Sequence, residues 1–378
     1  MRHKSLFGSW WWTIDRVTLI AIAVIIVLSA IMIAAASPAV ADRIGVESFY
    51  FVRRQLLFLV VAAVIVVTVS FLSPVVIRRL AMLGFLGCLV TLVLVLFKGV
   101  EIKGAHRWLS LAGFSLQPSE FIKPCFAVVT AWILSKRFTG TAGGYRSFII
   151  ATILYGIVAL LLVLQPDIGM TITITSVWCG QLFLAGLPLL WIMLAVVLGV
   201  IAILGAYQFL PHVAKRIDGF IDPESGANYQ IKRSLEAFKH GGFYGRGPGE
   251  GTIKQLLPDS HTDFIFAVVG EELGMITCLL ILVLFATVVL RGFSRVLHES
   301  DAFIVFAVAG LLMQFGIQAM INMAVTLHLL PTKGMTLPFI SYGGSSTLAI
   351  ALAVGMMLAL TRKRYELATL GVKIQRVR

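Results

Sequence analysis

The sequence predicts an all-α integral membrane protein of about ten transmembrane helices, with both termini inside and a large extracytoplasmic loop between helices 7 and 8. Three observations lead there. The 378 residues are 59% hydrophobic and only 13% charged, with a mean hydropathy of +0.95, whereas a soluble domain is about one-quarter charged. Apolar runs of roughly twenty residues, enough to cross a bilayer core, recur along the whole chain. They have helix length, not the short alternating pattern of an outer-membrane barrel. Lysine and arginine are divided unevenly among the connecting segments, which sets the orientation.

In order, the ten spans are 17–36, 56–73, 80–97, 120–135, 147–164, 168–187, 189–209, 263–290, 302–326 and 346–361. The first imitates a secretion signal, with Arg2 and Lys4 before it and Ala39-Val40-Ala41 placed like a cleavage site. Its apolar run exceeds the roughly 7–15 residues of a signal h-region, so it is expected to remain as a membrane helix. Trp10, Trp11 and Trp12 are then expected at the interface as an aromatic anchor. Pro188 makes the turn between the sixth and seventh spans tight. The loop of about 210–262 contains a basic amphipathic segment, 228–240, expected as a helix on the membrane surface. No Pro/Ser-rich linker and no repeat divides the chain, so one membrane domain covers 1–378. Cys88, Cys125, Cys179 and Cys278 all fall in apolar spans and read as small core residues, not as disulfides or thiolate metal ligands.

With the N-terminus inside, sixteen lysines and arginines fall on inner segments and seven on the short outer loops. The even-numbered spans then run from outside to inside. Their starts read QPSEFIK (117–123), QPDIG (165–169), LPDSHTDF (257–264) and LPFISYGGSS (337–346). Each helix N-terminus carries partial positive charge and unpaired N–H groups, and such ends bind anions. Taken singly, each motif is an ordinary cap or a proline-marked start. Taken together, with Lys123, Lys254 and Lys333 nearby, they would build an electropositive outer chamber. Ionisable groups in membrane spans point to function.

Individual residues carry their own alternatives. Lys123 follows Glu120 by one helical turn, so the two can pair; otherwise Lys123 snorkels to the interface. Asp167 suits a helix N-terminus as a cap or as part of the chamber. Glu271 and Glu272 lie about 12–13 Å deeper than Asp263 along their helix. They cannot both face its way, so at least one is expected to be a structural partner in the bundle interior. The stretch GGFYGRGPGEGTIKQ (241–255), flanked by Arg246 and Lys254, is either a flexible turn or an anion-binding nest of backbone N–H groups. It matches neither the Walker pattern nor a dinucleotide fingerprint.

The segments GAHRWLSLAGFSLQPSEFIK, QPDIG, NYQIKRSLEAFKHGGFYGRGPGEGTIKQLLPDSHTDFIFAVVGEELG and PTKGMTLPFISYGGSS together resemble the SEDS family (shape, elongation, division and sporulation) over nearly the whole chain, in order. Gly270 and GMTLPFISYGG are closer to the cell-division branch than to the elongation branch. The resemblance implies a ten-helix fold and a peptidoglycan glycosyltransferase that polymerises lipid II. It implies that Asp263, in HTDF, is catalytic and that Trp108 and Lys123 matter to substrate. It also implies a class B penicillin-binding protein transpeptidase and other division proteins as partners. The expected location is a bacterial inner membrane, at the septum, with the site on the outer side. Membrane lipid is a further expected partner; nucleic acid is not.

The residues make chemical sense of that activity. Lipid II is part lipid, part pyrophosphate and part sugar, and a basic chamber open to lipid suits all three. Asp263 at the water edge can take the proton of the attacking hydroxyl. The pyrophosphate leaving group needs its charge compensated. Lys123, Arg246, Lys254 and Lys333 are the candidates, with His261 beside Asp263 also expected at substrate. Trp108 can stack on a sugar or anchor at the interface. No cofactor is required by the sequence, though a divalent cation is compatible with pyrophosphate chemistry. Two rival readings are a flippase of the lipid-linked precursor and a non-catalytic division scaffold. A flippase needs charged groups through the full membrane depth, whereas here the polar motifs gather at one end.

Overall fold

Each of the ten predicted spans falls on one helix of the structure, a computed structural model that describes residues 6–102, 105–111, 114–138, 144–209, 229–331 and 334–363 and the single positions 214 and 218. The order is α1 (Leu6–Thr13), α2 (Arg16–Ile44), α3 (Tyr50–Ser70), α4 (Pro74–Lys98), β1 (Val100–Ile102), β2 (Ala105–Leu111), β3 (Phe114–Leu116), α5 (Pro118–Ser135), α6 (Gly144–Leu164), α7 (Ile168–Leu184), α8 (Leu189–Phe209), α9 (Tyr229–Gly241), α10 (Ile265–Val296), α11 (Ala302–Thr326) and α12 (Gly344–Leu360). Among the described residues, α2, α3, α4, α6, α10 and α11 are long and apolar enough to cross a membrane.

Helix starts follow the local chemistry. Ser73 caps α4 with Pro74 at its first position, and Asp301 caps α11 through Phe303 N at 2.9 Å. Proline fits there because its missing N–H would have had no partner in the first turn. The centre of the bundle is α5, α11 and α12, buried along nearly their whole length. Around it pack α3 on α12, α4 and α7 on α5, and α10 on α11. Small residues let these backbones approach where lipid supplies no hydrophobic drive between helices; α12 has Gly, Ala or Ser at eight of its 17 positions.

Three features depart from the sequence reading. Trp10 is not at the interface: it is 7% exposed, stacks on Phe71 at 5.0 Å and donates from Nε1 to Ser70 Oγ at 2.8 Å. Trp11 and Trp12 stay exposed, with the Arg16 guanidinium over both rings. Between the third and fourth spans, where only a loop was expected, residues 100–102, 105–111 and 114–116 form a small antiparallel sheet in the order β1-β2-β3. The alternation of A-H-R-W-L-S-L suits a strand. Third, α9 does not lie free on a membrane surface. Its buried side, Ile231, Ser234 and Ala237, packs on the bundle, and Ser234 Oγ donates to Thr326 O at 2.7 Å. Amphipathicity alone cannot distinguish a lipid surface from a protein one.

The first span continues as helix through Ala39, Val40 and Ala41. At the far end of the bundle, Arg362 Nε donates to Thr13 Oγ1 at 3.1 Å and Lys363 N to Thr13 O at 3.0 Å. The beginning and the end of the described chain thus meet on one side.

Candidate active site

The four motif-bearing helix starts converge, and short polar side chains do the joining. Gln117 N donates to Ser345 Oγ at 3.1 Å, and Ser345 Oγ donates to Ser115 O at 3.2 Å, tying α5 to α12. Ser119 Oγ donates to Asp167 Oδ2 at 3.5 Å, tying α5 to α7. Ser341 Oγ donates to Thr262 O at 2.6 Å and Tyr342 N to His261 O at 2.8 Å, tying the approach to α12 to the approach to α10. Gln55 on α3 clamps the same turn, donating to Ser341 O at 3.2 Å and accepting from Gly343 N at 3.3 Å.

Lys123 sits inside this end of the bundle with its side chain 1% exposed, so it does not snorkel. Its ammonium lies 2.7 Å from Glu120 Oε2 and donates to Gln318 Oε1 at 2.8 Å. A buried cation requires such partners. Gln318 in turn donates from Nε2 to Thr336 O at 3.1 Å and to Thr336 Oγ1 at 3.2 Å. One turn along α11, Asn322 Nδ2 donates to both Asp263 O at 2.8 Å and Met335 O at 2.6 Å. Asp263 is half-buried just before α10. Its carboxylate faces Gly334, where a side-chain carbon would lie 3.4 Å from Oδ2 and where φ is +62°. Glycine both adopts that backbone conformation and leaves the room.

Gln318 and Asn322 were not among the sequence candidates. The signal was present: Gln314, Gln318 and Asn322 recur every four residues in an otherwise apolar span, which places them on one face. They link the Lys123 side to the Asp263 side through the 334–337 segment. Replacing Asn322 by Ala leaves the carbonyls of Asp263 and Met335 without that donor, a loss of roughly 1–3 kcal/mol for a buried group. Thermal unfolding of the purified variant is expected at lower temperature, with activity reduced; an unchanged midpoint and full activity would contradict the link.

Asp167 is 3% exposed and caps α7, accepting from Met170 N at 3.5 Å. Burial pushes its carboxyl up, and the Arg107 guanidinium, 3.9 Å from Oδ1, opposes that. Arg107 also donates to the carbonyls of Gln165 and Pro166, so the hairpin is fastened to the α7 start. Trp108, next in β2 and paired in register with Val100, is half-buried on that hairpin. The His261 ring lies between Phe51 at 4.8 Å and Tyr342 at 5.3 Å.

The glycine-rich stretch is neither flexible nor an open anion nest. The long helix α10 breaks at Gly274, φ +77°. The break exposes the carbonyls of Glu271 and Glu272 and the amides of Met275 and Ile276. The loop satisfies all four: Arg246 N donates to Glu271 O at 3.0 Å, Gly247 N to Glu272 O at 2.9 Å, Met275 N to Gly242 O at 3.0 Å and Ile276 N to Phe243 O at 3.3 Å. A side chain on Gly274 would come within 2.4 Å of Gly245 N and Phe243 O. The anion in the nest is the protein's own. Glu271 accepts from Thr252 N and Ile253 N at 2.8 Å and from Lys254 N at 3.2 Å. Glu272 accepts from Gly249 N at 3.0 Å and from Lys254 Nζ at 2.5 Å.

This corrects the expectation for Lys254. Its ammonium has three protons, and they reach Glu272 Oε1, Gly249 O at 2.8 Å and Ala35 O of α2 at 2.9 Å. None is left for a pyrophosphate. At least one structural glutamate was expected, and both Glu271 and Glu272 hold the 241–255 loop. Arg246 is exposed, with Nε donating to His240 O at 2.8 Å. Lys333 lies outside the described residues. Among the described residues no three His, Cys, Asp or Glu side chains gather as a cation site.

The arrangement offers a carboxylate at the rim, a held ammonium below it and helix N-termini around both. Known proteins share the chain's features. The profile of the FtsW/RodA/SpoVE cell cycle proteins matches residues 15–366. A probable peptidoglycan glycosyltransferase FtsW of Caulobacter vibrioides is 44% identical over 365 residues, 96% of this chain and 92% of that protein. One of the same description from Trichlorobacter lovleyi is 38% identical over 357 residues, 91% and 92%. Among solved structures, a chain of a peptidoglycan synthase complex that coordinates polymerization and crosslinking superposes with a TM-score of 0.74 at 27% identity, covering 92% of this chain and 97% of that one. The rod-shape-determining protein RodA of Thermus thermophilus gives 0.70 at 25% identity, covering 94% and 99%. With its described helices, its polar end and this likeness over almost all its length, the chain belongs to the FtsW/RodA/SpoVE family of SEDS proteins and is most like its FtsW members.

Proposed function

We propose that this chain, a peptidoglycan glycosyltransferase, polymerises lipid II with Asp263 as general base. The observation that carries the reading is the polar network from Glu120 and Lys123 through Gln318, Thr336 and Asn322 to Asp263, at the end where four helix N-termini meet. The acceptor's sugar 4-hydroxyl attacks the donor's anomeric carbon. The carboxylate of Asp263 takes the hydroxyl proton as the new C–O bond forms. The bond from the anomeric carbon to the pyrophosphate oxygen breaks, and the lipid pyrophosphate leaves with the electron pair. Direct displacement inverts the anomeric centre.

A pyrophosphate leaving group needs no proton but does need compensation of its growing charge. Lys123 is the best-placed cation, because Glu120 and Gln318 hold it in one position before substrate arrives. Preorganised charge costs no rearrangement during the reaction. The helix starts at Ile168, Ile265 and Gly344 add partial positive charge from backbone N–H groups. Trp108 on the hairpin presents a ring at the same end, suited to a sugar face. Lys254, Glu271 and Glu272 keep the outer loop in place.

The reading puts the site on the outer face of the inner membrane and the protein at the division septum, beside a class B penicillin-binding protein that cross-links the product. Purified protein supplied with lipid II in liposomes, with that partner present, is expected to yield long glycan strands on a gel. A folded protein that makes no strands even with an active partner would sink the proposal. A fluorescent fusion spread evenly over the side wall would remove the septal part alone.

A further inference from the structure

We propose that the end of the bundle opposite Asp263, where α4, α5 and α6 meet, binds the phosphate headgroup of an anionic membrane lipid. The chain has no acidic residue between Glu47 and Glu101, and none between Glu120 and Asp167. Into these two stretches fall Arg78 and Arg79 in the first turns of α4, Lys136 and Arg137 just after α5, and Arg146 in the first turn of α6. The fold brings Arg78 and Lys136 to Trp132, in the last turn of α5, and Arg137 to Phe148 of the adjoining α6. Arg78 Cζ lies 5.3 Å and Lys136 Nζ 4.0 Å from the Trp132 ring centroid. Arg137 lies over the Phe148 ring at 4.9 Å and donates to Ala185 O at the end of α7 at 2.9 Å.

Aromatic faces and a carbonyl hold Arg78 and Arg137, but they do not neutralise them. Among the described residues the ion pairs involve Arg53, Arg107, Lys123, Arg233, Lys254, Arg291 and Arg295, and never Arg78, Arg79, Arg137 or Arg146. Arg78 Nε is fully buried and has no hydrogen-bond partner among the described residues. Arginines that do have a carboxylate exist for comparison, because Asp15 lies 3.3 Å from Arg291 Nε and 3.2 Å from a terminal nitrogen of Arg295. Among the described residues the arginines of this cluster have no carboxylate partner, a lack that a phosphate with several acceptor oxygens would resolve. Guanidinium forks match that geometry.

The source is a lipid because of what flanks the cluster. Leu83 on α4 and Ile149 and Ile153 on α6 are all more than half exposed, so acyl chains have an apolar bed beside the charges. Basic pockets between helices at a membrane surface take such headgroups. The proposal does not depend on the role of Asp263.

The test uses the full-length protein in neutral detergent, followed by thermal unfolding during titration with phosphatidylglycerol, phosphatidylcholine or inorganic phosphate. Phosphatidylglycerol alone is expected to raise the midpoint. The variant Arg78→Gln/Arg137→Gln is expected to need roughly 10- to 30-fold more of it, from the usual contribution of each basic residue near an anionic surface. Arg54→Gln, which removes one arginine at the other end, should leave the titration unmoved. If the double variant unfolds without lipid, the exposed pair Arg79→Gln/Arg146→Gln serves instead and should shift the titration the same way by a smaller factor. An unmoved titration in these variants, or an equal shift in Arg54→Gln, overturns the site. Equal stabilisation by inorganic phosphate overturns the lipid assignment.

Discussion

Asp263→Asn is expected to lower lipid II polymerisation by roughly 10²- to 10⁴-fold, the range a positioned general base contributes, while the protein still folds. The substitution keeps the shape of the side chain. It also keeps the backbone carbonyl that accepts from Asn322 at 2.8 Å, the bond that joins this corner to α11. What it removes is the ability to take a proton. Raising the pH should not restore the rate, because an amide has no carboxylate form to recover. Asp263→Glu keeps the base but pushes it toward the backbone of Gly334, already close to the carboxylate. It is expected to fall between wild type and Asp263→Asn. The measurement is strand formation per minute at saturating lipid II, with thermal unfolding as the check on folding. Strands at the wild-type rate from a folded Asp263→Asn would remove the residue from the chemistry.

Lys254→Met is expected to be the most damaging single change to stability, at roughly 3–5 kcal/mol, because it leaves a buried carboxylate without its cation. The Glu272 side chain is 0% exposed and that of Lys254 6%. The loss would be local at first: the 241–255 loop would leave the break in α10, exposing the carbonyls of Glu271 and Glu272 that Arg246 N and Gly247 N now satisfy. Faster hydrogen exchange at those amides, with a lower unfolding midpoint, is the expected observation. The double variant Lys254→Met/Glu272→Gln removes the stranded charge and keeps an acceptor for Gly249 N, so it should recover much of the loss. If it is no more stable than Lys254→Met alone, the pair is not the source of the effect.

The two predictions draw on different amounts of sequence information. Asp263 could be chosen before any coordinates existed, because the HTDF motif resembles that of the SEDS family and a carboxylate at the water edge of an apolar span can act as a base. Lys254 could not be assigned in the same way. In sequence it is a lysine after a glycine-rich stretch, equally suited to a substrate or to the protein. Only the break at Gly274, 20 residues further on, puts Glu272 against it. The same separation explains the misplacement of Trp10. Its neighbours Trp11 and Trp12 have the same local sequence, but Ser70 and Phe71 lie beside Trp10 alone.

By itself the sequence determined that the chain is a helical membrane protein, where its ten apolar segments run and which ends of them are polar. These properties depend on hydrophobicity counted along the chain at a length set by the bilayer, and such counts are local. The pairing of Glu120 with Lys123 was equally legible, because one helical turn separates them. The tertiary structure alone decided that Gln318 holds Lys123, that Asn322 ties Asp263 to Met335, and that the glycine-rich loop fills the break in α10 with the protein's own glutamates. Each joins residues far apart in sequence, or needs a backbone conformation that no period reveals. Partners for buried polar groups are chosen by which helices pack together, and that is settled only when the bundle closes.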